Sequence, residues 1–306
     1  MQVANHLSFM FSQGASVSSM RVRRSAISAT LKQIGRSVQV GGVIAAVIKG
    51  AALKEVRSRL PAPKWDLFLV LAFLRSAEFE PLSESSLYNL TRKTLFLVLL
   101  ATARRGSEVH ALSGLPGDIL FESDGSVSLR FRPDFLAKNQ APGQASPLVR
   151  VKALTNALAP DDPDSVNCPV RALRLYLART QPVRSSSQKL LFISLLTSRE
   201  KDVSRVTLAR WVSSLIRQAY SWCHTSGGGA QPAFPLVSAR AHETRAWSSS
   251  LAVLRSQRLD EVLSTAYWRS EDIFINYYLR DVAALRQDGS RGLPALIAAG
   301  QFLSRM

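Results

Sequence analysis

Two periods of apolar and polar residues alternate along the chain. Residues 65–79 and 87–112 repeat apolar positions at the three-to-four spacing of a helix, and both predict helices. The second contains an unbroken apolar run at 94–103, TLFLVLLATA. In GSVSLRFRPDFL (125–136) the period drops to two: Val127, Leu129 and Phe131 fall on one side, Ser128, Arg130 and Arg132 on the other. That pattern predicts a half-exposed strand. PLVRVKAL (147–154) is a second such segment. The Gly-, Pro- and Ala-rich AKNQAPGQAS between them predicts a hairpin with a long tip. CPVRALRLYLART (168–180) predicts a helix with proline at an early position. Residues 237–258, 259–266 and 270–286 predict further helices, TSGGGAQPAFP (225–235) a connector, and RQDGSRG (286–292) a linker before a short apolar tail.

The first 61 residues read as short helices separated by small polar loops. Residues 16–19 supply a turn and cap before the helix predicted at 20–35, and Gly35 supplies its stop. RLPAPKW (59–65) then sets two prolines across a boundary, and proline restricts the residue before it as well as itself. We therefore expect a small all-α domain over 1–61 and a larger one over 62–306. The expected fold class is mainly α with a small antiparallel β-sheet (α+β). No internal repeat is present.

Charge changes this picture. The 306 residues include 39 Lys and Arg against 22 Asp and Glu, a formal +17 and a pI near 10.7. Such an excess speaks to partners more than to fold, and it points to nucleic acid, an anionic membrane or an acidic protein. It is also uneven: residues 1–64 carry ten basic residues and one acid, Glu55. Cys168 and Cys223 are too few for a disulfide framework and read as free thiols of a reducing compartment. The longest apolar runs are about half a membrane span, and the N-terminus lacks the basic start of a signal peptide, so neither a transmembrane helix nor a signal peptide is expected. No cofactor is expected, and no metal either: Cys223-His224 could suggest one, but no second pair stands at ligand spacing.

Candidate chemistry sits in three places. Arg104 and Arg105 directly follow the apolar run, an expensive place for charge unless it is held for a ligand. SARAHETRAW (238–247) holds His242 and Arg245, which on a helix would share a face at i and i+3. YWRSEDIFINYYLRD (267–281) brings Trp268, Tyr277 and Tyr278 together. There Ser270 suits an N-cap, and Glu271 and Asp272 suit a first helical turn.

Read in order, these pieces resemble the catalytic domain of the tyrosine recombinases, the phage integrase family. The resemblance is closer still to the recombinases of DIRS-like retrotransposons. Their catalytic domains carry runs similar to WDLFLVLAFL, FEPL, TLFLVLLATARRGSEVHALS, RPDFLAKN, CPVRALRLYL, AHETRAWSSSLA and WRSEDIFINYYLRD. The likeness covers residues 5–303 apart from the long loops. It implies a tyrosine-recombinase catalytic fold preceded by a helical, SAM-like core-binding domain that clamps DNA.

By the same resemblance, TARRGSE matches the family's Thr-Gly-x-Arg-x-x-Glu run. The first catalytic arginine then falls on Arg105, Glu108 is its supporting acid, and Ala103 replaces the glycine. The hairpin lysine falls on Lys138, with Lys152 as its rival. His242 and Arg245 match the second box, and Trp268 stands where many members have histidine. The nucleophile is Tyr278 by the DIRS-like pattern, or Tyr277 by general family spacing; adjacent helical residues diverge by about 100°, so only one can face a phosphate.

The implied activity is DNA strand breakage and rejoining through a 3′-phosphotyrosyl bond, in the service of integrating a mobile element. The implied partners are double-stranded DNA and three further copies in a tetramer assembled on it, without a membrane; the implied compartment is the nucleus. Two other readings share this chemistry or this ancestry: a transposon-derived DNA-binding protein without catalysis, and a type IB topoisomerase that relaxes supercoils as a monomer.

Overall fold

In a computed structural model of the protein, the residues described are 2–36, 42–54, 61–138, 140, 143–144, 146, 148–154, 158, 161–195, 202–225, 232–254, 258–266 and 271–282. The chain divides into two compact units, Met1–Leu60 and Pro61–Met306.

Among the described residues, the first unit comprises three helices, α1 (Gln2–Ser12), α2 (Val17–Gln33) and α3 (Val43–Lys54). Its core is small: Ala4, Leu7, Val17, Met20, Ile44, Ile48 and Ala51. Ser16 starts α2 by accepting a hydrogen bond from the Ser19 amide at 3.2 Å, and Gly35 ends the element in a left-handed conformation at φ 72°. Only Val17 and Met20 of α2 are buried, and Arg21, Arg23 and Lys32 are exposed. The helix is thus anchored at its N-terminal end, and its remaining turns present basic residues to solvent.

The second unit is built around α5 (Leu87–Thr102). Every residue of that helix from 90 to 102 is buried, which explains why its apolar run has no polar face. Ser86 caps it through the Asn89 amide at 3.1 Å. Around it pack α7 (Pro169–Thr180), α8 (Arg205–Thr225) and α9 (Glu243–Leu254), while α4 (Leu67–Phe73) lies against α8. A three-stranded antiparallel sheet, in the order β1 (Ile119–Phe121), β2 (Val127–Leu129), β3 (Val149–Val151), closes one side of the core. Strands β2 and β3 pair with Ser128 opposite Arg150, and the apolar alternation puts Val127, Leu129, Val149 and Val151 inside. The fold is therefore mainly helical with one small antiparallel sheet.

Several elements differ from the periodicity. The helix expected over 65–79 runs only from Leu67 to Phe73. The one expected over 87–112 stops at Thr102 and resumes as α6 (Gly106–His110). The break is at Ala103, which is left-handed at φ 49°. Periodicity could not show it, because burial continues across the break. Helix α9 begins at Glu243, not at 237; the Val237 and Ser238 amides donate instead to the Lys64 carbonyl at 2.9 and 3.2 Å. The Tyr220 hydroxyl accepts from the Asp66 amide (2.7 Å) and donates to the Phe234 carbonyl (2.6 Å). Two short helices follow, α10 (Leu259–Thr265) and α11 (Glu271–Tyr277). The helix expected to reach 286 ends at Tyr277. Strand β1 and helix α8 were not anticipated, although Leu208, Trp211, Val212, Leu215, Ile216 and Ala219 form a clear helical stripe. Ser270 and the tail after 282 lie outside the described residues.

Trp247 pins α9 to the core. It is almost fully buried, donates its indole N–H to the Trp65 carbonyl at 3.1 Å, and packs on the Trp65 and Phe234 rings. Trp247→Ala is expected to cost about 3–5 kcal/mol in urea unfolding of the full chain.

Candidate functional site

The C-terminal end of α5 is where the arginines meet. The last carbonyls of a helix lack intrahelical partners and carry the negative end of its dipole, so they favour a cation. Helix α9 supplies the donors. Ser248 Oγ donates to the Leu100 carbonyl at 2.7 Å, and Arg245 Nη1 donates to the Ala103 carbonyl at 3.0 Å. The left-handed turn at Ala103 then swings the chain so that Arg104 and Arg105 follow at once. A left-handed non-glycine residue costs about 1–2 kcal/mol. Here the alanine methyl is buried beside Ala266 and Phe274, which offsets part of that cost.

Arg105 opens α6 and is fixed at both ends by Glu108. Its amide donates to Glu108 Oε2 at 3.4 Å, and its Nη1 donates to Oε1 at 2.7 Å. Glu108 is almost completely buried, whereas the Arg105 side chain keeps about a fifth of its surface exposed (21%). Part of the Arg105 side chain therefore reaches solvent. Arg104 is buried and approaches the same carboxylate, Nη1 to Oε2 at 3.8 Å. One carboxylate thus anchors two adjacent arginines. The family resemblance implies this role toward Arg105 alone; the structure adds Arg104.

Arg245, 2% exposed, lies within the field of both. Burial pulls its pKa down to about 9. Arg105 is the next largest influence and acts in the same direction, as does Arg104, while Glu108 and Tyr278 oppose them. Three guanidiniums around one buried carboxylate leave positive charge in excess. A bound anion would relieve that excess, and planar forks of this kind match phosphate oxygens.

Tyr278 comes next. It follows the last residue of α11, and its amide donates to the Phe274 carbonyl at 2.9 Å, closing the final turn. Its ring lies 5.6 Å from the Arg245 guanidinium carbon and 5.1 Å from the His242 ring, tilted by 60°. Tyr277 points elsewhere and is 46% exposed. His242 precedes α9 instead of lying on it, so the shared face expected for His242 and Arg245 does not arise from helical spacing. Tyr278 bridges them instead. Burial, and then the Arg280, Arg245 and Lys64 charges, hold the His242 pKa below the usual 6.5, with Glu243 acting the other way. At neutral pH its imidazole is uncharged and can accept a proton.

Of the residues singled out in the sequence, Arg105, His242, Arg245 and Tyr278 gather here with Glu108. Lys138 is exposed on the connection between β2 and β3. Among the described residues, no hydrogen bond or ion pair ties it to the cluster. Lys152, at the end of β3, is half-buried, and burial followed by Arg150 lowers its pKa. Trp268 lies outside the described residues. Glu243, Ser250 and Arg280 also belong to this neighbourhood and were not read from the sequence. Glu243 and Arg280 do stand inside the two quoted runs, AHETRAW and YYLRD. Among the described residues, no group of three or more His, Cys, Asp or Glu is placed to hold a metal ion, and no helix is long and apolar enough to cross a membrane.

No protein-family model matches the chain, and neither does any curated sequence. Among solved structures it is similar to the XerH site-specific recombinase bound to difH substrate in a pre-cleavage complex. The TM-score is 0.50 at 15% identity over 88% of this chain and 64% of that one. It is similar also to XerH bound to a palindromic difH substrate in a post-cleavage complex, at a TM-score of 0.53 and 16% identity over 90% of this chain and 68% of that one. The chain thus spans about two thirds of the length of these recombinases, and what it shares with them is the fold.

The lowered His242 pKa sets a pH dependence. Between that value and 6.5 the unfolded chain binds a proton that the folded chain refuses, so stability falls as pH drops below about 6.5. His110, also held low by burial, acts in the same direction. The melting temperature is expected to decline from pH 7 to pH 5, and His242→Gln is expected to flatten that decline.

Proposed function

We propose that the protein is a DNA strand-transfer enzyme of the tyrosine-recombinase kind, with Tyr278 as nucleophile. The observation that carries the reading is the Tyr278 ring set against both Arg245 and His242, beside the Arg105–Glu108 pair. A phenol is a poor nucleophile until its proton is shared, and a phosphodiester repels nucleophiles because it is an anion. The cluster meets both difficulties. Arg105 and Arg245 hold the non-bridging oxygens and stabilise the pentacoordinate state, where charge is greatest. Neutral His242 takes the phenolic proton as the oxygen attacks.

In that step a bond forms between the Tyr278 oxygen and phosphorus, and the bond from phosphorus to the 5′-oxygen breaks. The products are a 3′-phosphotyrosyl linkage and a 5′-hydroxyl. Lys138, on the β2–β3 connection, delivers the proton that the leaving 5′-oxygen needs. Trp268, with an indole N–H and no basic nitrogen, would orient the phosphate and not act as a base. The linkage keeps the phosphodiester energy, so a second 5′-hydroxyl can reverse the step on a new strand.

The substrate on this reading is double-stranded DNA, with four copies assembled on it. The basic α2 of the first unit supplies phosphate contacts as a core-binding domain. The element served is a DIRS-like retrotransposon integrating in the nucleus. The excess of basic over acidic residues supports a polyanionic partner, and the fold shared with XerH, a site-specific recombinase solved on its DNA substrate, supports the class of reaction.

Incubation with a nicked duplex that traps the covalent adduct tests the reading. Tyr278→Phe is expected to abolish the adduct and Tyr277→Phe to spare it; the reverse result would move the nucleophile by one residue. Arg105→Gln and Arg245→Gln are each expected to slow adduct formation by about 10²–10³-fold. Relaxation of a plasmid by the monomer, without strand exchange, would favour a topoisomerase instead, and DNA binding with no adduct would favour a binding protein without catalysis.

A further inference from the structure

Two tyrosines stand side by side at the end of α11, and the helix itself does not settle which one meets the arginines. It has seven residues, too few to be rigid alone, and Tyr278 lies just beyond its end. What fixes the segment comes from α9. Arg280 forms a two-pronged pair with Glu243, Nε to Oε2 and Nη2 to Oε1, both at 3.1 Å. Its remaining Nη1 donates to the Tyr277 carbonyl at 3.0 Å. Ser250 Oγ accepts from the Arg280 amide at 2.9 Å and donates to the Tyr278 carbonyl at 3.3 Å. Ser250 therefore holds the backbone at 278 and 280 directly, and Arg280, itself held by Glu243, holds it at 277, so the segment is fixed through two side chains of α9, Glu243 and Ser250. Those side chains lie about two turns apart, and the same helix carries Arg245.

We infer that Glu243, Arg280 and Ser250 form a clamp that selects Tyr278 over Tyr277 by fixing the backbone around it. They are positioning residues, not catalytic ones, and the inference rests on the strand-transfer reading above. The Arg280 guanidinium is occupied by Glu243 and the Tyr277 carbonyl, so it is not offered to a phosphate. Both partners are buried, Glu243 at 4% exposure and Arg280 at 6%. A buried pair of this kind adds little net stability over well-packed apolar side chains, because desolvation offsets the attraction. What it does add is direction: a planar fork engaging two carboxylate oxygens and a carbonyl permits one arrangement of the segment. Without it, a rotation of about 100° along the helix would carry Tyr277 to the place of Tyr278.

The test uses the full chain on the nicked duplex and follows single-turnover adduct formation, duplex affinity, melting temperature and the modified residue identified by peptide mass spectrometry. Glu243→Gln and Arg280→Gln are expected to slow adduct formation at Tyr278 by about tenfold or more, with duplex affinity retained. Adduct at Tyr277 should rise in both, and Arg280→Gln should restore a covalent product to Tyr278→Phe. Ser250→Ala, which leaves the ion pair in place, should give a smaller slowing in the same direction. Wild-type rates through Tyr278 in all three variants would overturn the clamp, as would a slowing matched by parallel losses of affinity and melting temperature with no Tyr277 adduct. If Arg280→Gln does not fold, Ser250→Ala decides alone, and a wild-type rate there overturns the proposal. A wild-type protein that forms no Tyr278 adduct fails the strand-transfer reading itself and the clamp with it, whereas wild-type rates in the variants fail only the clamp.

Discussion

The hydrogen bond from Arg245 to the Ala103 carbonyl is the joint on which the site depends. It spans 142 residues of sequence and ties the end of the central helix to the start of α9. On one side of it the chain turns through a left-handed alanine into Arg104, Arg105 and Glu108. On the other, α9 holds the backbone around Tyr278. With the neighbouring hydrogen bond from Ser248 to the Leu100 carbonyl, it sets how the two halves of the cluster meet. Its chemistry is elementary: a helix end needs a donor, and a buried guanidinium needs an acceptor.

The chain buries other cations, and the contrast with them is informative. Lys93, on α5, is fully buried, with its pKa pushed down to about 8. It is answered by Glu80 at 2.5 Å and the Leu74 carbonyl at 2.7 Å, and Glu80 is shared with Arg171. Arg92 lies on the Tyr88 ring and donates to Gln218 and Asn89. Arg184 donates to the carbonyls of Leu190 and Leu191. Each of these is compensated locally and joins elements of the scaffold. Arg245 is different in kind, because its nearest charged neighbours include two more arginines. Three guanidiniums and the Glu108 carboxylate gather at this helix end, next to a phenol and a neutral imidazole.

The legibility of the site varied with the range of each contact. The arginines after TLFLVLLATA stood out because charge at the edge of an apolar run is anomalous by itself. The hairpin was visible because its two segments alternate with period two in sequence; burial follows that alternation in β3, whereas β2 is not half-exposed as expected, because Ser128 is buried along with Val127 and Leu129. The break at Ala103 was not visible: α5 is buried all round, so its pattern carries no phase that a break would disturb. Nor was Glu243–Arg280. Glu243 stands between His242 and Arg245, and its partner lies 37 residues away. The hairpin lysine was legible as a residue type on a loop, but its reach toward the cluster depends on how that loop is carried.

The sequence by itself determined the types of most elements, the excess of positive charge and the residue types available for phosphate chemistry. Those follow from local periodicity, backbone restriction and composition, all of which act within a few residues. Tertiary structure alone decided that Glu108 serves both Arg104 and Arg105, that His242 meets Arg245 through Tyr278 and not along a helix, and that Tyr277 turns to solvent. Each of these is a matter of direction, set where segments far apart in the chain pack against one another. A one-residue rotation reverses such an outcome without changing any property of the sequence that could be read beforehand.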